Sequence, residues 1–125
     1  MEVNALDEQV GGSHYKRLSM QPIELIVKAK LSFIQGNIVK YISRYTNKNG
    51  IEDIKKCIHY AKLAIELNDS GPKHKMLNLA YSYCKVNNLN GHQVNIITAC
   101  VQDDYHAVIK HSEKLIKHML TPKAV

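Results

Sequence analysis

The 125-residue sequence has no apolar run that approaches the roughly 20 residues a membrane-spanning helix requires. Its first ten residues, MEVNALDEQV, are acidic and mixed, so we expect neither a secretory nor a transit signal there. The three cysteines, Cys57, Cys84 and Cys100, form no Cys-x-x-Cys pair and fall in apolar helical stretches. This pattern predicts buried thiols in a reducing compartment rather than disulfides. We therefore expect a cytoplasmic protein without a membrane span.

The usual catalytic signatures are also missing. No G-x-x-x-x-G-K-[ST] phosphate-binding loop is present, and GGSHYK is too short to replace one. Seven histidines suggest zinc, yet His106, His111 and His118 are spaced by five and seven, and no His-Glu-x-x-His occurs. The paired Glu and Asp clusters of the all-α nucleotide pyrophosphatases are absent as well. The sequence thus predicts no resident metal and leans against an enzyme.

The composition, 45% hydrophobic and 22% charged, is that of a globular domain. The formal net charge of +6 permits an acidic or phosphorylated partner but by itself mainly describes solubility. The charge is unevenly distributed, because residues 13–48 hold seven Lys or Arg against Glu24 alone. The rest of the chain is neutral, with ten basic and ten acidic residues. Cations gathered in one segment raise the local potential for an anion.

Apolar residues recur at three-and-four spacing, which predicts an all-α fold, a small bundle of about six helices. Pro22 suits the start of the first helix, and Asn49 with Glu52 is expected to cap the third. Pro72 is expected to open the fourth, with Met76 facing inward, and Met119 continues the apolar repeat of the sixth. The expected helices cover about 22–30, 32–46, 50–68, 72–86, 93–102 and 105–120.

Glycine and proline punctuation divides the chain into four regions. We expect a flexible tail over 1–10, a helical domain over 11–69, a C-terminal helical lobe over 70–120 and a short tail over 121–125. NIVKYISRY and NIITACVQDDY each precede a longer helix. This faint echo favours two helical-hairpin lobes.

The predicted second helix carries the chemistry. Asn37, Tyr41 and Arg44 share one stripe with Lys40 beside them, offering an amide, a phenol and two cations, while Gly36 allows a backbone or ligand to approach. The opposite stripe, formed by Ile34, Ile38, Ile42 and Tyr45, is expected to enter the core. The alternative is that the basic stripe is simply a solvated surface.

Three stretches, GGSHYKRLSMQPIELI, LSFIQGNIVKYISRY and KNGIEDIKKCIHYAK, carry a family resemblance. They resemble the phage SaV-like family, whose pattern runs His-Tyr, Gln-Pro-Ile-Glu, Gly-Asn-x-x-Lys-Tyr, Arg-Tyr, Lys-x-Gly and Asp-x-x-Lys. The resemblance covers residues 11–67, about half of the chain. It implies a phage early protein in the host cytoplasm. The family includes a lactococcal phage protein that confers sensitivity to abortive infection, and a related domain occurs in a podophage nucleotide kinase.

The resemblance and the charge pattern together define candidate site residues. The candidates for binding a ligand or phosphate are His14, Tyr15, Asn37, Lys40, Tyr41, Arg44 and Lys48. In a kinase, Glu24 or Asp53 would hold Mg²⁺ or orient the acceptor hydroxyl; otherwise no cofactor is expected.

Two functions follow from these candidates. The first is a non-catalytic, homo-oligomeric protein that binds a host protein of an abortive-infection pathway. The alternative is a nucleotide-binding protein or deoxynucleoside monophosphate kinase. Nucleic acid is disfavoured as a partner, because residues 32–46 are too apolar for an exposed recognition helix.

Overall fold

The computed structural model describes residues 5–8, 18–47 and 49–122, which contain six α-helices and a short 3₁₀ helix, Ala5–Asp7. No strand occurs within these ranges, so the predicted all-α bundle is confirmed. No helix among them has the length and apolar character needed to cross a membrane. The helices are α1 (Pro22–Lys28), α2 (Phe33–Arg44), α3 (Ile51–Leu67), α4 (Leu77–Val86), α5 (Gly91–Val101) and α6 (Tyr105–Leu120).

The starts of α2 and α5 follow from the same local chemistry. The Ser32 hydroxyl accepts the Gln35 N–H at 3.1 Å, and the Gln35 side chain accepts the Ser32 N–H at 2.9 Å. Asn90 and Gln93 make the equivalent pair at 3.0 and 2.9 Å. Each is a capping box that satisfies N–H groups left without helical partners. Both helices therefore begin where the sequence provides a cap.

The predicted cap of α3 by Asn49 and Glu52 is wrong. The residue before α3 is Gly50, at φ +51°, and it makes no side-chain cap. The Asn49 N–H instead donates to the Asp53 carboxylate at 3.4 Å. Asp53 therefore has the role expected for Glu52, accepting a backbone N–H ahead of α3. The Asp53 side chain is buried, whereas Glu52 is exposed.

The start predicted for α4 is also wrong, since the helix begins at Leu77 rather than at Pro72. The segment before it is held by long-range bonds: Asp69 accepts from the Ser32 hydroxyl at 2.6 Å, and the Gly71 N–H donates to Asp103 at 2.8 Å. Gly71 lies so close to Gln35 that an added Cβ would sit 2.3 Å from the amide oxygen. These contacts keep the segment extended past Pro72.

Helix contacts repeat across the two parts of the chain. In the first part α1 packs on α2 and α2 on α3; in the second part α4 packs on α5 and α5 on α6. Each helix also contacts its counterpart in the other part: α1 contacts α4, α2 contacts α5 and α3 contacts α6. This is the contact pattern of two similar three-helix units in which each helix packs against its counterpart. We call residues 18–69 the first half and residues 70–122 the second half. The echo in the sequence corresponds to α2–α3 and α5–α6.

Backbone details repeat in the same way. After α1, Lys30 has a left-handed backbone (φ 54°), and the Leu31 N–H donates to the Ile26 carbonyl at 3.0 Å. After α4, Asn88 has the same conformation (φ 53°), and the Leu89 N–H donates to the Cys84 carbonyl at 3.0 Å. Both turns are Schellman-type helix ends.

A reciprocal pair of buried glutamines joins the halves. The Gln35 amide, at the start of α2, donates to the Cys100 carbonyl near the end of α5 at 3.0 Å. The Gln93 amide, at the start of α5, donates to the Ile42 carbonyl near the end of α2 at 2.9 Å. Each amide satisfies a helix-end carbonyl of the antiparallel partner helix.

The hydrophobic core is one cluster of buried residues to which both halves contribute. Ile38, Ile42 and Ile54 from the first half and Ile96 and Val108 from the second are fully buried. The expected inward stripe of α2 is confirmed, because Ile34, Ile38, Ile42 and Tyr45 are all buried. Met76 and Met119 were expected inside but are 42% and 41% exposed, because Met76 precedes α4 and Met119 lies in the last turn of α6.

Candidate functional site

The basic stripe of α2 lies over the seam between α2 and α3. Ile34, Ile38 and Ile42 point into the core, as predicted, and this orientation leaves Lys40, Tyr41 and Arg44 partly exposed. Helix α3 runs beside this stripe and contributes Asp53, Lys56 and Tyr60, which lie one turn apart on one of its faces. The site is therefore assembled from two helices.

Arg44 and Asp53 form the central ion pair. The Arg44 Nη2 and Nε atoms donate to the two carboxylate oxygens of Asp53 at 3.2 and 3.3 Å. The Asp53 side chain is fully buried and that of Arg44 is 13% exposed. The Asn49 N–H and, at 4.0 Å, the Lys56 amine complete the surroundings of the carboxylate. A buried carboxylate requires such partners, because unpaired it would lose several kcal/mol of solvation.

Three cations surround the ring of Tyr41. The Lys40 Nζ and Arg44 Cζ atoms each lie 4.7 Å from the ring centroid, and the Lys56 Nζ lies 4.9 Å from it. Distances below about 6 Å are those of favourable cation–π contacts. Tyr41 therefore stabilises a concentration of like charges that would otherwise repel one another.

Aromatic rings extend this surface along α3. Tyr41 stacks on Tyr60 with centroids 6.0 Å apart and planes 17° apart. Phe33 also packs on Tyr60, edge to face, with the ring centroids 6.4 Å apart and the planes 74° apart. Phe33, the single phenylalanine of the chain, is 79% exposed. We call the surface formed by Phe33, Lys40, Tyr41, Arg44, Lys56 and Tyr60 the cation–aromatic face.

A shallow groove of about 220 Å³ borders this face between α1 and α2. Phe33, Asn37 and Lys40 line one side, and Ile26 and Leu31 line the other. A Cβ added at Gly36 would come 3.3 Å from Ile26, so the close approach at this glycine is made by α1 and not by a ligand. The Asn37 side-chain N–H donates to the Phe33 carbonyl at 2.9 Å, so this bond uses the donor end of the amide and not its oxygen.

The structure brings some of the predicted residues together and separates others. Lys40, Tyr41, Arg44 and Asp53 share the α2–α3 seam, whereas Asn37 lines the groove between α1 and α2. Glu24 instead caps α1, where its carboxylate accepts the Gln21 N–H at 2.7 Å. His14, Tyr15 and Lys48 lie outside the described residues.

Sequence reasoning missed the contributions of Phe33 and Tyr60 and the place of Lys56 over the Tyr41 ring. A usable sequence pattern existed for the α3 residues, since Asp53, Lys56 and Tyr60 follow helical spacing. Phe33, the first residue of α2, was not singled out.

The described acidic side chains form no metal-binding cluster, and the three thiols are buried. Within residues 5–8, 18–47 and 49–122, no group of three or more His, Cys, Asp or Glu side chains could hold a metal ion. The Asp53 oxygens already accept from Arg44, so the residues of this site do not fit Mg²⁺. Burial raises the pKa of the Cys84 thiol to about 11 and raises those of Cys57 and Cys100 further. The three thiols are therefore protonated and unreactive near neutral pH.

Comparison with known proteins gives one family match. Residues 10–62 match a family described as a protein of unknown function, DUF3310. The matched segment is less than half of the chain and contains α1, α2 and most of α3, including every residue of the cation–aromatic face. No curated protein and no solved structure matches the chain.

Proposed function

We propose that this protein is a non-catalytic phage accessory protein that acts in the host cytoplasm by binding a host protein through the cation–aromatic face. The observation that carries the proposal is the exposure of Phe33 beside the cations around Tyr41. Burying a phenylalanine ring contributes about 1.5–3 kcal/mol, and a partner that covers Phe33 would gain this energy on binding. The phage and host assignments rest on the resemblance of the motifs in α1–α3 to the SaV-like family.

Binding is favoured over catalysis by the state of the carboxylates. Phosphoryl transfer requires bound phosphates, a metal and a group that orients the acceptor. Asp53 is committed to Arg44, and Glu24 is committed to the start of α1. Neither residue is available to hold a metal or to accept a proton. The kinase alternative would need groups other than those named.

The partner surface should combine an apolar or aromatic knob with acidic side chains. The face carries three cations, Lys40, Arg44 and Lys56, and one carboxylate, the buried Asp53, so its net charge is +2. Aromatic residues with neighbouring cations are typical of the central anchors of protein interfaces. An acidic partner residue would meet Lys40 and Lys56 without breaking the Arg44–Asp53 pair.

A nucleotide is the second candidate ligand. The groove beside Lys40 favours it, because a base could stack on the exposed Phe33 ring while a phosphate contacts the Lys40 amine. The groove, about 220 Å³, is smaller than the 300–1,000 Å³ typical of enclosed ligand sites, so only part of a nucleotide would be covered.

Affinity purification from infected-host lysate tests the first candidate. The bait is the full chain, compared with its Phe33→Ala and Lys40→Glu variants. The matched controls are Tyr81→Ala and Lys85→Glu on α4, which remove an exposed aromatic ring and reverse an exposed lysine away from the face. We expect a specific partner with the wild type and both controls and its loss with the two face variants. Recovery of the same partner with all five proteins would contradict the proposal.

A thermal-shift screen with deoxynucleoside monophosphates tests the second candidate. A ligand at a hundredfold excess over its Kd adds about 2.7 kcal/mol to the stability of the folded state. Lys40→Ala should abolish the shift, whereas Lys85→Ala should preserve it. If no nucleotide changes the melting temperature at millimolar concentration, nucleotide binding is excluded. Phosphate transfer by the wild-type protein would overturn the non-catalytic assignment.

A further inference from the structure

A second surface lies between the long helices α3 and α6. Its groove has a volume of about 640 Å³ and an apolar floor of Ile58, Ile116 and Leu120. Leu120 is 67% exposed. We call this surface the α3/α6 groove. Its floor is open to solvent, and burying it would release the water now covering it.

The rim of the α3/α6 groove is basic. Lys55 and Lys62 border it from α3 and Lys117 from α6, with Glu113 as the acidic residue of the lining. Among the described residues, no carboxylate lies within 4.0 Å of these three lysine amines. These lysines form no ion pair within the described residues, so an acidic ligand would meet them without displacing an internal partner.

The α3/α6 groove is separate from the cation–aromatic face. Along α3, Lys55, Ile58 and Lys62 lie roughly 160° around the helix axis from Asp53, Lys56 and Tyr60, at 100° per residue. The buried residues Ile54, Cys57 and Ala61 lie between the two sets. Substitutions in the groove can therefore be made without touching the other surface.

We propose that the α3/α6 groove binds an acidic amphipathic helix of a partner protein. An apolar floor between two lysine-bearing walls complements a helix that carries leucine-like residues on one face and carboxylates on its flanks. Lys55 and Lys62 are seven residues apart, about 10 Å along α3, which matches roughly two turns of a bound helix. A second copy of this groove is a poor occupant, because it would bring lysines against lysines.

The test is an NMR titration of the ¹⁵N-labelled full chain with a 14-residue peptide. The peptide has leucines at i, i+3, i+7 and i+10, with glutamates at the flanking positions. We expect chemical-shift changes confined to residues 55–62 and 113–122 and affinity that falls as salt rises. A Lys62→Glu/Lys117→Glu variant should bind at least about tenfold more weakly, while Lys85→Glu on α4 should bind as the wild type does.

Four outcomes would overturn the proposal. They are no shift at millimolar peptide, equal binding of a peptide with lysines in place of the glutamates, shifts centred on the cation–aromatic face, and equal affinity of the double variant. Concentration-dependent shifts of the groove residues without peptide would assign the groove to a second copy instead. Groove shifts with anionic phospholipid vesicles but not with the peptide would assign it to a lipid surface. Neither the host-protein nor the nucleotide assignment depends on these results.

Discussion

The two halves of the molecule share a scaffold but not a surface. Aligning Gln35 with Gln93 places Thr98 and Ala99 where the first half has Lys40 and Tyr41. Aligning the first residues of α3 and α6 places Ala107 and Lys114 where it has Asp53 and Tyr60. The second half therefore makes the same helix contacts without a buried ion pair or a stacked tyrosine pair. Packing of this three-helix unit does not require the chemistry of the cation–aromatic face.

This difference separates residues that the three-helix fold requires from residues that it does not require. The capping boxes and left-handed helix ends occur in both halves. The charged and aromatic cluster occurs in the half that matches the DUF3310 family. Packing of the three-helix unit therefore does not account for the cluster, although its buried members also contribute to stability.

The largest effect should come from breaking the ion pair of the first half. Asp53→Ala leaves Arg44 without its buried carboxylate, and we expect a loss of about 3–5 kcal/mol in the free energy of unfolding. Chemical denaturation measures this loss. The double variant Arg44→Met/Asp53→Leu removes both charges and should recover most of it, because no buried charge is left unpaired and the second half has the apolar Ala107 at the position of Asp53. A loss below about 1 kcal/mol for Asp53→Ala would show that the pair adds little to the fold.

The reciprocal glutamines provide the next comparison. Gln35→Ala removes bonds to the Cys100 carbonyl, to Asp103 at 3.0 Å and to the Ser32 N–H. Gln93→Ala removes bonds to the Ile42 carbonyl and the Asn90 N–H. At about 1 kcal/mol for each bond lost, we expect costs of about 3 and 2 kcal/mol.

Urea denaturation of both variants measures this difference. Gly71→Ala provides an independent check at the Gln35 end, because its Cβ would displace the Gln35 amide. If the Gln93 variant were the less stable of the two, the extra bond from Gln35 to Asp103 would not be stabilising the contact between the halves.

Replacing two buried serines by alanine should change the stability of the protein in opposite directions. Ser112 in α6 is fully buried, and its hydroxyl has no hydrogen-bond partner among the described residues, so Ser112→Ala should stabilise the protein by about 0.5–1 kcal/mol. Ser43 in α2 shares a 2.6 Å hydrogen bond with the Tyr83 hydroxyl, so Ser43→Ala should cost about 1 kcal/mol. Thermal unfolding of the two variants compares them directly. Destabilisation of similar size in both would contradict the assignment of Ser112.

What could be predicted from sequence was mostly what lies within one helix. The apolar repeats and the Pro22 start signal are local, so the positions of α1, α2, α3, α5 and α6 follow from them within a few residues. Pro72 gave a wrong start for α4, because bonds to Ser32 and Asp103, far away in the chain, hold the preceding segment.

The same limit applies to the cation–aromatic face. The stripe of Lys40, Tyr41 and Arg44 belongs to one helix and was predicted. The pairing of Arg44 with Asp53 and the stacking of Tyr41 on Tyr60 depend on how α2 and α3 align. That alignment is set by side-chain packing in the core, which local periodicity does not specify.

The smallest effect concerns pH and belongs to the second half. Burial, together with the nearby His118, Lys114 and His111, lowers the pKa of His92, whose counterpart in the first half is the apolar Ile34. Because the folded state then binds a proton less readily than the unfolded state, stability should fall as pH drops below about 6.5. His92→Gln should reduce this fall, measured as melting temperature between pH 7.5 and 5.5, and His118→Gln should reduce it partly, because burial, the larger cause, remains. NMR titration of the His92 ring checks the cause, and an unchanged pH profile in His92→Gln would place the proton uptake elsewhere.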